Sequence, residues 1–303
     1  MDPNRAAGAP AFIVGAYAAL PTEPRARDEF YELLRHQEWV EGLEIPYPGD
    51  LAADAEVLSR RLAPGWSANT ITAIPGTMQR LALDPGFGLA SKDAAGRAAS
   101  VVFTRDIRDV VERLAELGTV IRHVQLHSAP TAAADVDAFA DSLDEVMAWD
   151  WIGADLVVEH CDRHVEGQRP EKGFLALADE IAVASRMGVG IHVNWGRSAL
   201  EARDAQAPLA HVVAARDAGV LRGLLFSGAG PEASSYGAAW ADGHLPATAD
   251  EPTSLMGEAE IRACADAARD AVTYLGAKVC VPAAASPHER LAMLARVYAA
   301  TQP

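Results

Sequence analysis

The chain has 303 residues, a length that one α/β barrel domain commonly reaches. Hydrophobic residues make up 50% and charged residues 22%, a balance that fills a core and excludes wholesale disorder. The formal net charge is -16 with no basic block, so phosphate backbones are repelled and a nucleic-acid partner is excluded.

Cys161, Cys264 and Cys280 are far apart and odd in number, which indicates neither a disulfide framework nor a zinc knuckle. The first ten residues hold one arginine and no apolar core, so they do not read as a signal peptide. No apolar run reaches the ~20 residues of a membrane span. The expectation is a cytoplasmic protein without a membrane partner.

Short apolar runs then alternate with longer amphipathic segments. The run at 12–17 is followed by a helical pattern at 25–38, and the run at 42–46 by one near 54–62. A third run, 68–74, leads through a loop to a long helix at about 94–117. A fourth, 120–126, precedes a helix ending near 149. The fifth run, 154–159, is followed by a helix at 173–187, and the sixth, 189–193, by one at 208–218. The seventh, 221–226, leads to a helix at 258–274, and the eighth, 278–281, to a final helix at 287–299.

Eight β-then-α units predict a parallel sheet with crossover helices, and eight strands close a (β/α)8 TIM barrel. We expect one such domain over 1–303. Gly118, Gly153, Gly188, Gly219 and Gly276 fall between helical and strand patterns, where a left-handed cap favours glycine. No Gly-x-Gly-x-x-Gly opens a first βα unit, which weakens the competing open doubly wound sheet. The connections at 75–93 and 227–257 are long and lie on the carboxyl-terminal face, where this fold keeps its chemistry.

The strand ends form a polar ring. Glu44 and Glu159 are the acid/base candidates, since desolvation at a strand end raises a carboxyl pKa toward working pH. His127 could donate to a sugar hydroxyl, shuttle a proton or ligate a metal. His192 and Asn194 share one strand face toward the pocket. In the turn Asn194-Trp195-Gly196-Arg197, Asn194 suits a hydroxyl, Trp195 offers a flat face for a sugar ring, and Arg197 could pair with an anionic group. His160 and His164 flank Asp162 in a weak metal-like cluster without a matching half. Ser227 opens the seventh loop, which carries Trp240, Asp242 and His244 as a candidate second acid/base pair or as a solvated tip. No Lys or Arg lies between 223 and 256, which favours a neutral or carboxylated substrate over a sugar phosphate.

Gly42-Leu43-Glu44-Ile45, Gly88-Leu89-Ala90-Ser91 with Arg97, and Leu156-Val157-Val158-Glu159 resemble segments of the xylose isomerase-like barrel superfamily, the sugar phosphate isomerase/epimerase group. The layout is also similar to a branch of the domain-of-unknown-function kind. The resemblance implies a divalent metal (Mn, Mg or Zn) held by a glutamate, an aspartate, a histidine and a second glutamate on strands five to eight. Glu159 matches the first ligand by position. Asn194, Ser227 and Val281-Pro282 stand where the other three belong, so the implied site is incomplete and the cofactor stays open.

The expected function is isomerisation or epimerisation of a sugar or sugar acid by proton transfer. Glu159 would be the base, His127 or Glu44 the acid, and Asn194, Trp195 and Ser227 the positioning groups. A metal-independent lyase or glycosidase using Glu44 and Glu159 is one alternative, and a non-catalytic sugar-binding barrel is another. The expected partner is a small carbohydrate, and a homodimer is compatible with the sequence.

Overall fold

The computed structural model describes residues 9–49 and 54–303. Eight parallel strands close on themselves in sequence order. They are β1 (Ala11–Val14), β2 (Gly42–Pro46), β3 (Asn69–Thr72), β4 (Ile121–Leu126), β5 (Asp155–His160), β6 (Gly190–Asn194), β7 (Leu221–Phe226) and β8 (Tyr274–Ala277). The ring shuts where Ala11 to Val14 of β1 pair with Tyr274 to Ala277 of β8.

The helices are α1 (Pro24–Arg35), α2 (Ala55–Arg61), α3 (Ile74–Leu81), α4 (Ala94–Glu116), α5 (Val136–Met147), α6 (Leu177–Met187), α7 (Trp195–Ala202), α8 (Ala207–Asp217), α9 (Glu258–Ala268) and α10 (Pro287–Ala300). The predicted barrel is therefore the observed one. Among the described residues no helix is long and apolar enough to cross a membrane. The first eight residues, read above as lacking a leader, lie outside the described residues.

Strand alternation divides each strand's side chains between two compartments. In β2, Leu43 and Ile45 join the large apolar core shared with Phe30 and Leu34 of α1 and Leu58 of α2. Glu44 lies between them and is buried on the other side, in the barrel. Among the described residues, a separate apolar cluster inside the barrel holds Ile13, Ala68, Leu225 and Tyr274, with Ala11 beside it. Above this small plug the interior is polar.

The pattern-based expectations fail at three places. Strand eight is Tyr274–Ala277, so the run at 278–281 lies after it, and the helix before it ends at Ala268. Gly276 consequently sits inside β8 and caps nothing, whereas Gly118, Gly153, Gly188 and Gly219 all adopt positive φ. The connection at 75–93 is not one loop, because α3 occupies its start. Short helix α7 begins directly at the end of β6, where a turn was expected; Asn194 caps it, its Oδ1 accepting from Arg197 N at 3.4 Å.

Tyr274 explains the true register. A Cβ at Gly223 would come within 2.2 Å of the Tyr274 ring, so the aromatic side chain fills space that the glycine leaves open. Gly276 is equally confined, with Ile13 Cγ1 and Leu225 Cδ1 at 2.7 Å and Ile13 O at 2.8 Å from a built Cβ. We expect Gly276→Ala to lose about 1–3 kcal/mol in urea unfolding, as overpacked interiors do. Gly65→Ala, with nothing within 4 Å of its Cβ, should stay within about 0.5 kcal/mol.

Candidate functional site

The carboxyl-terminal end of the barrel gathers charges that water cannot reach. Glu44, Glu159, Arg197 and Lys278 are each at most 1% exposed. Such charges survive only when paired. Arg197 Nη1 lies 2.7 Å from Glu159 Oε1, and Lys278 Nζ lies 3.0 Å from Glu44 Oε2. Oxygen atoms of Glu44 and Glu159 and a ring nitrogen of His192 lie within 4.8 Å of one another.

The two glutamates differ in what remains free. Glu159 Oε1 faces Arg197 and accepts from Asn194 Nδ2 at 3.4 Å. Its Oε2 accepts from His127 Nε2 at 2.7 Å and from Thr72 Oγ1 at 3.4 Å. Burial alone would push this carboxyl up, but Arg197, then Lys278, and then the hydrogen bond from His127 hold it well below the usual carboxylate range. The expected upward shift at Glu159 is thus reversed, because Arg197 turns onto this carboxylate and Lys278 adds a second buried cation. Glu44 Oε2 accepts from Tyr17 Oη at 3.0 Å, while its Oε1 is buried with no hydrogen-bond partner. Lys278 Nζ faces the carboxylate but is out of line for a hydrogen bond, so its donors also remain unused.

Burial pushes His127 down despite Glu159, so the ring is neutral. An anionic acceptor fixes the proton on Nε2, which leaves buried Nδ1 as an unpaired acceptor. His192 is neutral too, pushed down to about 4 by burial. It stacks on Tyr274 at 5.4 Å, its Nδ1 lies 2.8 Å from Tyr274 Oη, and its Nε2 has no partner.

A second tier joins the loops above. Asp242 Oδ2 lies 2.9 Å from Lys172 Nζ and 3.4 Å from Arg197 Nε; its Oδ1 lies 3.2 Å from His244 Nδ1. His244 Nδ1 also lies 2.8 Å from Ser227 Oγ. Burial would raise the Asp242 carboxyl, but Lys172, His244 and Arg197 hold it well below its usual value. The Asp242 side chain is therefore a shielded latch between loops and not the expected working acid, while residues 231–239 before it are mostly exposed. Gly228 and Leu245 close the base of this loop by exchanging backbone hydrogen bonds at 2.8 and 2.9 Å.

Two candidates fall elsewhere. His160 follows Glu159 on the strand and so faces outward, where Nδ1 lies 2.6 Å from Glu180 Oε2 and Nε2 lies 3.4 Å from Glu201 Oε2. Burial opposes the charge, but the two carboxylates hold its pKa up at about 10. It is no substrate contact at the mouth. Trp195 is fully buried against Cys264 of α9 and offers no face to a sugar. The His160/His164 pair is not a cluster, since Asp162 instead accepts backbone N–H groups of Glu171, Lys172 and Gly173. Arg197 reaches the mouth as expected, yet its partners are the protein's own carboxylates.

Sequence reading missed Lys278, Lys172, Glu180, Glu201 and His211, and placed Tyr17 only as a strand end. Lys278 had a signal: it is a lone charge in the apolar run 274–281. The others carry none without the fold.

The implied metal does not fit this mouth. Glu159 presents no free lone pair, and the guanidinium and ammonium already supply the positive charge. Glu44, Glu159 and Asp242 are balanced by Lys278, Arg197 and Lys172. A divalent ion between Glu44, Glu159 and His192 would face two fixed cations.

A cavity of about 220 Å³ adjoins the site. It is lined by Tyr17, Leu20, Tyr31, Glu44, Pro46 and Leu58 among others. That is below the roughly 300–1,000 Å³ of drug-sized sites and suits a small molecule.

Residues 13–293 match the family described as Domain of unknown function (DUF4862). The uncharacterized protein STM3670 of Salmonella typhimurium strain LT2 is 37% identical over 262 residues, 83% of each chain. Among solved structures, a D-psicose 3-epimerase determined with D-fructose aligns with TM-score 0.59 and 14% identity, covering 96% of this chain and 97% of that one. A xylose isomerase domain containing protein of Salmonella typhimurium LT2 aligns with TM-score 0.60 and 10% identity, covering 95% and 96%. An L-ribulose 3-epimerase aligns with TM-score 0.55 and 13% identity, covering 95% and 92%. The chain belongs to the DUF4862 family, and its fold is that of the xylose isomerase-like TIM barrels.

Arg197→Met would leave Glu159 buried without its cation. We expect a loss of about 3–5 kcal/mol in urea unfolding at neutral pH. A pH series gives a second check. His192 and His123 have folded pKa values lowered by burial to about 4 and about 3, against ~6.5 unfolded. The unfolded chain therefore binds more protons below pH ~6.5, and this contribution to stability is lost as pH falls through that window. His192→Gln should make the fall between pH 6.5 and 4 shallower.

Proposed function

We propose that this DUF4862 barrel interconverts small aldoses and ketoses, or the matching sugar acids, by moving one proton between adjacent carbons without a metal ion. The observation that carries the reading is the contrast between the two neighbouring glutamates. Glu159 is saturated with donors, whereas Glu44 keeps one buried oxygen free beside the unused donors of Lys278. Fold likeness to sugar epimerases adds only the expectation of a small carbohydrate.

In this mechanism Glu44 Oε1 takes the proton from the carbon next to the substrate carbonyl. The C–H electron pair becomes a C=C bond, and the carbonyl electrons move onto oxygen. Lys278 stabilises that enediolate oxygen, a charge that develops only during reaction. His127, held neutral with Nε2–H on Glu159, takes up a hydroxyl proton at Nδ1 and returns it to the other oxygen. Glu44 then gives its proton to the neighbouring carbon, so atoms and charge balance. A base paired with a neutral imidazole is a known solution for enediolate chemistry.

The same contrast separates the related reactions. Epimerisation needs an acid on each face of the enediolate, and Glu159 is held as an anion. Glycoside cleavage needs a carboxylic acid with raised pKa, which Glu159 also is not. One-base isomerisation asks only for Glu44. This moves the base assigned from sequence from Glu159 to Glu44 and makes Glu159 the group that positions His127.

Purified protein treated with chelator should be incubated in D2O with a panel of tetroses, pentoses, hexoses and uronic acids. Substrate-dependent deuterium at C1 or C2 is expected by NMR. It should fall at least about 100-fold in Glu44→Gln, the usual scale for losing a general base. Exchange that needs added metal, or that survives unchanged in Glu44→Gln, would overturn the reading.

A further inference from the structure

Behind β5, in the layer between the barrel and its helices, three side chains that the mouth does not use converge. They are His160 on β5, Glu201 on α7 and His211 on α8, with one ligand atom of each within 4.8 Å of the others. We propose that these residues bind one divalent transition-metal ion of the zinc class, at a site separate from the barrel mouth.

Both imidazoles are already set for the task. His160 Nδ1 lies 2.6 Å from Glu180 Oε2, and Glu180 is itself fixed by Ser128 Oγ, which donates to Oε1 at 2.5 Å. His211 Nδ1 lies 2.9 Å from Ser198 Oγ. With Nδ1 engaged on each ring, both Nε2 atoms point toward Glu201. A carboxylate behind a ligating histidine fixes its tautomer and strengthens it as a donor, the usual arrangement behind metal-bound imidazoles.

His160 supplies an independent observation. It is fully buried, and its Nε2 has no hydrogen-bond partner. The contact to Glu201 Oε2 at 3.4 Å is out of line for a hydrogen bond. It does match the separation of two donors on a tetrahedral ion, since bonds of about 2.0–2.1 Å place them roughly 3.4 Å apart. His211 Nε2 lies 3.9 Å from Glu201 Oε1, within a small ring movement of the same geometry.

Two imidazoles and one carboxylate suit zinc, cobalt or nickel better than magnesium or calcium. The ion would take the place of the proton otherwise held on His160. A shallow cleft lined by Arg163 and Trp240 reaches Glu201 from the surface. Arg163 Nε lies 3.2 Å from Glu201 Oε1, but this side chain is nearly half exposed and can turn into solvent; the Arg163 backbone N–H donates to Glu201 Oε2 at 2.7 Å and leaves that oxygen one lone pair for the ion.

This assignment does not depend on the isomerase reading. The full chain, stripped with chelator, should be loaded with Zn2+ or Co2+, dialysed and analysed for metal. One equivalent per chain is expected, with Co2+ giving the visible absorption of a low-coordinate nitrogen–oxygen site. His211→Ala should abolish retention, Glu180→Gln should weaken binding about 10–100-fold, and Glu159→Gln should leave it unchanged. Unfolding curves in chelator check that each variant folds; Glu201→Gln provides a second ligand variant. No metal retained by the parent chain would overturn the proposal. So would retention that survives His211→Ala and Glu201→Gln but is lost in Glu159→Gln, which would place the ion at the barrel mouth.

Discussion

The buried pair between Arg197 and Glu159 organises the upper half of the barrel. A guanidinium and a carboxylate at 2.7 Å, both out of water, are tolerable because the remaining carboxylate lone pairs and further guanidinium donors find partners. Asn194 caps the helix that brings Arg197 inward and donates to Glu159 as well. His127 and Thr72 complete the carboxylate, and Asp242 and Cys161 Sγ take other guanidinium donors. The pair thus couples β3, β4, β5, β6 and the loop after β7 through one set of contacts.

That saturation gives the neighbouring carboxylate its freedom. Glu44 shares the interior with Glu159, yet Tyr17 and Lys278 engage only one of its oxygens. Reactivity in a closed interior needs an unsatisfied group, and unsatisfied groups are costly. Among the described residues, Glu44 Oε1, Lys278 Nζ, His127 Nδ1 and His192 Nε2 carry that cost at the mouth, and other buried atoms such as His160 Nε2 carry it elsewhere.

Much of the scaffold is readable from the chain because its signals are local. β2 and β7 fall where their apolar runs end, and glycines with positive φ close helices as expected at 118, 153, 188 and 219. β8 is misread because its strand signal, Tyr274-Leu275-Gly276-Ala277, is weaker than the valine-rich stretch after it. What selects the true register is Tyr274 filling the space above Gly223, a contact across strands that periodicity does not carry. The same displacement hides Lys278. Glu44, Glu159, His127 and Asn194 were nominated by strand-end position, His192 by its strand face and Arg197 by its turn, and the fold brings them together. Their division of roles was not legible, since it depends on which lone pairs are filled. His160 was misassigned for a simple reason: adjacent strand residues face opposite ways.

The latch at Asp242 bears on the protein's field. Its carboxylate neutralises Lys172 and Arg197 together, tying the loop after β7 to the loop after β5 and to α7. Any excursion of that loop carries the negative charge away and leaves one positive charge uncompensated, since Arg197 keeps Glu159. The mouth would then become an electropositive funnel in an otherwise acidic surface of net charge -16. A carboxylated ligand entering while the loop is lifted would compete with Asp242 for the place beside Lys172 and Arg197. Capture and closure would then be alternative uses of one electrostatic socket.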